Sequence, residues 1–354
     1  MNRIERLKNR LPHGWQGVLV TTETNREYMV SFLSSAGTLL VFPGQAYFII
    51  DSRYVEAAKK HVVGAEVILQ EKLYSQIGEL CRRHSATELL CETELTIAEY
   101  QGFEKNVQGV HFIADGVLSE RIQAQRSIKE PDEVQKICSA QAITDAAFLE
   151  ILNDIRPGVT EKAIAAELEY HMRKKGADGL AFETIIASGT NGSMPHAVPS
   201  DKKIREGEFV TMDFGAKLEG YCSDMTRTVA VGEVGEEQHR IYDTVLKAHL
   251  TSMAAAKAGV YGDELDKIAR DIIYGAGYEG CFGHSLGHSL GLDIHEKPMC
   301  SFARHDLLPA GTIMTIEPGI YVEGKYGVRI ENMILITENG YVNLTGSERK
   351  LITL

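Results

Sequence analysis

Short apolar runs alternate with amphipathic stretches of helical period through the first third of the chain. Val18-Leu19-Val20, Thr38 to Phe42, Tyr47 to Ile50, Val67-Ile68-Leu69 and Leu89-Leu90-Cys91 read as strands, and Tyr54 to His61 and Tyr74 to His84 as helices. Ile4, Leu7 and Leu11 recur at helical spacing and predict an opening helix, whose scattered charges are unlike a signal peptide. This order predicts a self-contained α/β domain over residues 1–125. The polar run Arg121 to Pro131 then leads into a helix start: Ser127 with Glu130 resembles a capping box and Pro131 suits a first helical turn. The second domain is therefore expected over residues 126–354.

That second domain reads as two related halves. Gly158-Val159, Gly176 and Gly179 recur 101 residues later as Gly259-Val260, Gly277 and Gly280, each set framing a helix. Each helix leads toward a predicted hairpin. Phe209 to Gly215 and Tyr221 to Val229 form the first, and Ile313 to Gly319 and Tyr326 to Asn332 the second. Two helix-helix-hairpin halves facing each other predict an α+β domain with one curved antiparallel sheet wrapped by helices and an internal pseudo-two-fold.

Strand alternation decides which side chains share a face. Thr211 and Asp213 lie opposite Val210, Met212 and Phe214, and Arg329 shares a face with Glu331. Asp213 and Asp224 fall on the first hairpin, Glu317 and Glu331 on the second, and the glycine-rich run Gly283 to Glu296 between them carries His284, His288 and His295. Four carboxylates and an imidazole, that of His288, converging on one place would repel unless cations sat among them. Five oxygen-rich ligands exceed one closed tetrahedral zinc site and suit two divalent ions, with manganese or cobalt favoured over calcium because one ligand is histidine.

The ordered set Asp213, Asp224, Gly287-His288, His295-Glu296, Glu317-Pro318-Gly319 and Arg329-Ile330-Glu331-Asn332 resembles the pita-bread metallopeptidases, and within them the proline-specific branch of Xaa-Pro dipeptidase and aminopeptidase P. Ala187-Ser188-Gly189 with Met194-Pro195-His196 and Ser200-Asp201 resembles that branch's substrate-side histidine segment, although Ala197 stands where many members have glycine. Thr24-Asn25-Arg26, Ser35-Ala36-Gly37 and Asp51 to Tyr54 resemble the creatinase-like N-terminal domain. The resemblance implies metal ligation by Asp213, Asp224, His288, Glu317 and Glu331, with Asp224 and Glu331 bridging two ions per chain, manganese first and cobalt, iron or zinc as alternatives. It implies catalytic roles for His196, His295 and Glu317 and substrate contacts from His196, His284, His295 and Arg329. The implied activity is hydrolysis of the Xaa-Pro bond in dipeptides or short peptides with a free N-terminus and proline second, by a homodimer. Aminopeptidase P activity on longer peptides is one alternative, and a pita-bread module that only binds is another.

Composition narrows the setting. The 354 residues are 44% hydrophobic and 24% charged, ordinary for a soluble globular protein, and a formal charge of −12 argues against nucleic acid as a partner. No apolar run approaches the roughly 20 residues of a membrane helix. Six cysteines without a C-x-x-C pair predict reduced thiols and a cytoplasmic location. His13, His61, His84 and His111 are expected at the surface or in caps.

Overall fold

The structure, a computed structural model, describes residues 2–354. Backbone packing divides the chain into two units, one ending at Arg126 and the other spanning Ser127–Leu354.

In the first unit six strands form one mixed sheet, in the spatial order Glu66–Leu69, Ala46–Ile50, Thr38–Val41, Val18–Val20, Glu88–Cys91 and His111–Ile113. Strands with buried Leu19, Leu40, Ile49 and Leu89 pack against helices contributing Ile77, Leu80 and Phe103. The opening helix covers Arg3–Lys8 and buries Ile4 and Leu7, but Leu11 lies beyond it, because the chain turns away at Asn9. The Glu23–Val30 helix was not expected, for a physical reason: polar Asn25 and Arg26 share its buried positions with Tyr28, Met29 and Val30, which breaks the apolar period. Asn25 and Arg26 are buried, Asn25 donating to Glu92 at 2.6 Å and Arg26 to Thr21 O at 2.8 Å and Ala36 O at 2.5 Å. An apolar-periodicity test is blind to such a face. Of the four histidines in this unit, His84 stacks on Phe42 and bonds the Tyr47 hydroxyl at 2.9 Å, while His13, His61 and His111 are exposed.

The helix that opens the second unit is Pro131–Ile151, and its cap differs from expectation. Glu130 occupies the cap position and its N–H donates to the Glu133 carboxylate at 2.9 Å, so the box stands three residues past Ser127. Proline at the first helical position sets that register, since its missing N–H costs nothing there.

Two halves then follow the same plan. The helices Glu161–Lys174 and Gly262–Gly275 have 14 residues each and stand 101 apart in the sequence. Each is preceded by a glycine at positive φ, Gly158 at +94° and Gly259 at +86°, a region open chiefly to glycine. The same local pairing recurs as well: Gly158 N with Ile204 O and Ile204 N with Val159 O in one half, Gly259 N with Leu308 O and Leu308 N with Val260 O in the other. The hairpins these helices precede form curved antiparallel sheets, flanked by cores built on Phe148, Leu168 and Met212 in one half and Val245, Leu265 and Ile316 in the other.

Arg227 ties the hairpins together. Its side chain is about 1% exposed and donates to Thr226 O, Glu331 O and Asn332 Oδ1, and to Ser347 O and Glu348 O near the C-terminus. Burial lowers its pKa to about 10, which still leaves the guanidinium ionised at neutral pH. Arg227→Met is expected to leave several buried carbonyls unpaired, at ~1–3 kcal/mol each, for a total loss of at least about 3 kcal/mol. Calorimetry of the second unit's unfolding should read this as a fall in Tm of roughly 6–12 °C.

Candidate active site

Register explains how the acids meet. In the first hairpin Asp213 is the next-to-last residue of the Glu208–Phe214 strand and pairs with Thr226, while Met225–Val231 returns alongside. The expected strand from Tyr221 to Val229 is interrupted at Ser223 and Asp224, yet Phe214 with Met225 and Lys217 with Cys222 keep one register through the break. Gly215 permits this, because a Cβ there would lie 1.9 Å from Ser223 O. Asp224, Thr226 and Thr228 thus share one face with Asp213 and Thr211.

The second hairpin repeats the device. Ile316 pairs with Asn332 and Gly319 with Arg329, so a single register sets Glu317 opposite Glu331, just past the strand ends. The hairpins meet through Glu331 N to Thr226 O at 3.1 Å, Thr226 Oγ1 to Glu331 Oε2 at 2.7 Å and Thr228 Oγ1 to Arg329 O at 3.0 Å. Asp213, Asp224 and Glu331 bring one oxygen each within 4.8 Å of one another.

His288 enters from the short Gly287–Ser289 strand, where a Cβ on Gly287 would lie 2.0 Å from Thr315 O. Its Nδ1 lies 3.1 Å from Ser289 O, which makes Nδ1–H the donor and turns the Nε2 lone pair toward Glu317 Oε1 at 3.4 Å and Asp224 Oδ2 at 3.6 Å. All five predicted ligands therefore line one cavity of about 570 Å³.

The electrostatics of the cluster are unfavourable as it stands. Burial, and then the charges of Glu331, Asp213 and Glu317, hold the Asp224 carboxyl well above the usual range, and burial with Glu317 and Asp213 does the same to Glu331. Burial pushes Glu317 up to about 8 and His288 down to about 4. Asp213 Oδ1 and Glu331 Oε1 are buried without any hydrogen-bond partner. Acceptor-only atoms converging in this way, beside a neutral imidazole nitrogen, fit divalent metal ions, which supply the missing positive charge.

The other predicted residues stand around the rim and wall. His196 and His295 are exposed, line the cavity and make no hydrogen bond among the described residues, and the His295 ring meets that of His288 edge to face at 4.4 Å. His284 has both ring nitrogens engaged, Nδ1 with Ser285 O and Nε2 with the Tyr321 hydroxyl, each at 2.8 Å. Arg329 donates to Asp213 Oδ2 at 2.6 Å, Tyr321 Oη at 2.8 Å and Thr226 Oγ1 at 3.0 Å, and so orients a carboxylate of the cluster. Tyr321, Thr226 and Thr315 were missed by residue-type reasoning. Strand alternation points to them: Thr315 and Tyr321 keep the parity of Glu317, and Thr226 that of Asp224. Phe182, Pro195, Val198, Ile294 and Met299 add an apolar wall.

Comparison with known proteins agrees with this geometry. Residues 135–338 match the model of Metallopeptidase family M24, and residues 3–128 match the Creatinase/Prolidase N-terminal domain. An Xaa-Pro dipeptidase of Pyrococcus furiosus is 40% identical over 316 residues, 87% of this chain and 89% of that protein. The structure of an Xaa-Pro dipeptidase from Bacillus anthracis superposes with a TM-score of 0.96 at 41% identity, covering 99% of each chain. That of an X-Pro aminopeptidase from Thermotoga maritima gives 0.91 at 36% identity, covering 100% of each. With its acid-bearing hairpins, buried imidazole and two matched domains, the chain belongs to metallopeptidase family M24, in the pita-bread fold with a creatinase-type N-terminal domain.

Proposed function

We propose that the protein is a metal-dependent exopeptidase that hydrolyses the Xaa-Pro bond of dipeptides carrying a free N-terminus. The observation carrying this reading is the completeness of the ligand set: Asp213, Asp224, His288, Glu317 and Glu331 line one cavity with acceptor atoms left unpaired. A pita-bread module that only binds has no need of that set. Beside the relatives that carry the dipeptidase name stands an X-Pro aminopeptidase of comparable similarity, which supports action on longer peptides as the second reading. A homodimer belongs to the same proposal.

The five residues hold two divalent ions, manganese foremost, with cobalt, iron or zinc able to take the same ligands. When bound, such ions supply a water activated near neutral pH and polarise the scissile carbonyl. His288 presents Nε2 because Ser289 O occupies its other nitrogen. Arg329 fixes Asp213 from behind, leaving that carboxylate's second oxygen facing the cluster. Thr315 Oγ1 donates to Glu317 Oε1 at 3.0 Å and orients the carboxyl that is assigned proton transfer to the leaving nitrogen. His196 and His295 have ring N–H groups available to donate to the substrate carbonyl as negative charge develops there. Proline makes the scissile amide tertiary, so recognition rests on its carbonyl and on the apolar wall.

The decisive measurement compares Ala-Pro, Ala-Pro-Ala, Ala-Ala and N-acetyl-Ala-Pro with manganese-loaded protein. Cleavage of Ala-Pro alone is expected. Hydrolysis of the tripeptide at a similar rate would establish the aminopeptidase reading, and cleavage of the acetylated peptide would overturn the exopeptidase reading altogether.

His295→Ala is expected to lower kcat by about 10²–10³ while leaving the metal content of dialysed protein unchanged. Loss of metal instead would move His295 among the ligands.

Metal removal should expose the cost of the acid cluster. Glu317 rises from 4.5 in the unfolded chain to about 8 in the folded one, so the folded protein binds the extra proton. Its contribution to stability is full below pH 4.5 and lost as pH rises through 8. Metal-free protein should therefore melt at progressively lower temperature across that window, and added manganese should flatten the dependence. A metal-free Tm that climbs with pH would contradict the assignment.

A further inference from the structure

A second cluster of ligand-type side chains lies outside the catalytic cavity, and none of its members lines that cavity. Glu167 and His171 stand four residues apart on the Glu161–Lys174 helix and so share a face. Glu150, in the last turn of the Pro131–Ile151 helix, and Asp154, in the turn beyond it, face them. His171 is 9% exposed, and neither of its ring nitrogens makes a hydrogen bond. Nδ1 lies 2.7 Å from Glu150 Oε2, and Nε2 lies 3.6 Å from Asp154 Oδ2 and 3.7 Å from Glu167 Oε1.

The two spacings at Nε2 suit an ion better than a direct contact with either acid. Two ligand bonds of roughly 2.0–2.2 Å meeting at a tetrahedral angle put their donor atoms about 3.4 Å apart. Nε2 is close to that distance from two carboxylates and too far from either to donate a hydrogen bond. Asp154, Glu167 and His171 bring one donor atom each within 4.8 Å of one another. Glu150 stands at the other ring nitrogen, its Oε2 2.7 Å from Nδ1 but without hydrogen-bond geometry, so it adds an acid on that side without being a ligand at Nε2. Charge points the same way. Lys175 Nζ lies 2.5 Å from Glu150 Oε1 and offsets that acid, which leaves Asp154 and Glu167 as two negative charges for a divalent cation to balance.

We infer that Asp154, Glu167 and His171 form a peripheral binding site for a divalent transition-metal ion, distinct from the catalytic centre. The imidazole selects zinc-like ions over magnesium or calcium, and three protein ligands leave a position for water. An ion there pins the turn after one helix to the face of the next.

Zinc is the probe. Glu167→Gln and Asp154→Asn alter half-exposed carboxylates and should fold normally, unlike a change at the buried ring. Zinc bound per chain after equilibrium dialysis is expected to fall by about one equivalent in each variant relative to wild type. Manganese-supported peptidase activity should stay at the wild-type level. The readout is a difference between proteins with identical catalytic centres, so it stands whether or not the proposed peptidase activity does. Equal zinc counts in wild type and variants would overturn the site. Equal counts together with a pH-dependent change in Tm would show that the acids instead surround a protonated His171.

Discussion

The structure depends on holding four carboxylates together where two hairpins meet. Such a cluster opposes its own formation: burial and mutual repulsion raise Asp224, Glu317 and Glu331, and Arg329, which pairs with Asp213, offsets this only in part. The restraint comes from around the cluster. Arg227 grips the backbone of both hairpins from below, and Arg329 takes Asp213 from the side. Threonines spaced along the strands close the seam, Thr226 and Thr228 across to the second hairpin and Thr211 with Thr228 within the first. Each of these polar groups is buried and satisfied, so the cluster is fixed by a rigid shell even before any cation balances it.

Close backbone approach makes the same geometry possible. Gly215 and Gly287 face backbone carbonyls so nearly that any side chain would collide, and both stand within two residues of a metal-ligand candidate. A rigid frame of this kind favours pre-organisation, since ligands already aimed at a common point lose little freedom when an ion arrives. The pseudo-two-fold explains why the frame is affordable in sequence terms: one helix-helix-hairpin plan, used twice, brings two acids from each half to the centre.

How much of this is legible without coordinates differs by residue. Asp213 and Glu317 announce themselves as acids at the ends of largely apolar runs, while Asp224 and Glu331 fall in mixed polar stretches and are legible from the hairpin pattern and the glycine-rich turns beside it. The paired 14-residue helices follow from glycines 101 apart, since a positive φ demands that residue. What stayed hidden are polar groups whose partners are distant in the chain. Arg26 reads as a surface residue until Thr21 and Ala36 are seen to surround it, and Lys129 until it meets Ser289 and Glu296. His171 reads as one more helical histidine for the same reason. The cap at Glu130 differs on a smaller scale, where a Ser127/Glu130 pattern overlaps a Glu130/Glu133 one and proline at the first helical position favours the second.

The division between buried and exposed histidines separates holding from reacting. His288 is buried, its ring oriented by Ser289, and it can hardly move without disturbing the seam. His196 and His295 are exposed and belong to irregular segments, which leaves them free to follow a substrate whose shape changes during reaction. His295 is nonetheless not adrift, because the next residue, Glu296, is clamped by Lys129 at 3.0 Å in a pair whose side chains are 1% and 5% exposed. A lone buried ion pair is a poor source of stability, because desolvation consumes most of what attraction returns. Its value here is positional: Lys129 also bonds Ser289 at 3.1 Å, so one ammonium group reinforces the Ser289–Glu296 pairing between the strand carrying His288 and the strand that follows His295. The metal-side and substrate-side histidines thus flank one strand pair with one buried cation across it, and the distance between them is a property of the fold more than of the loop.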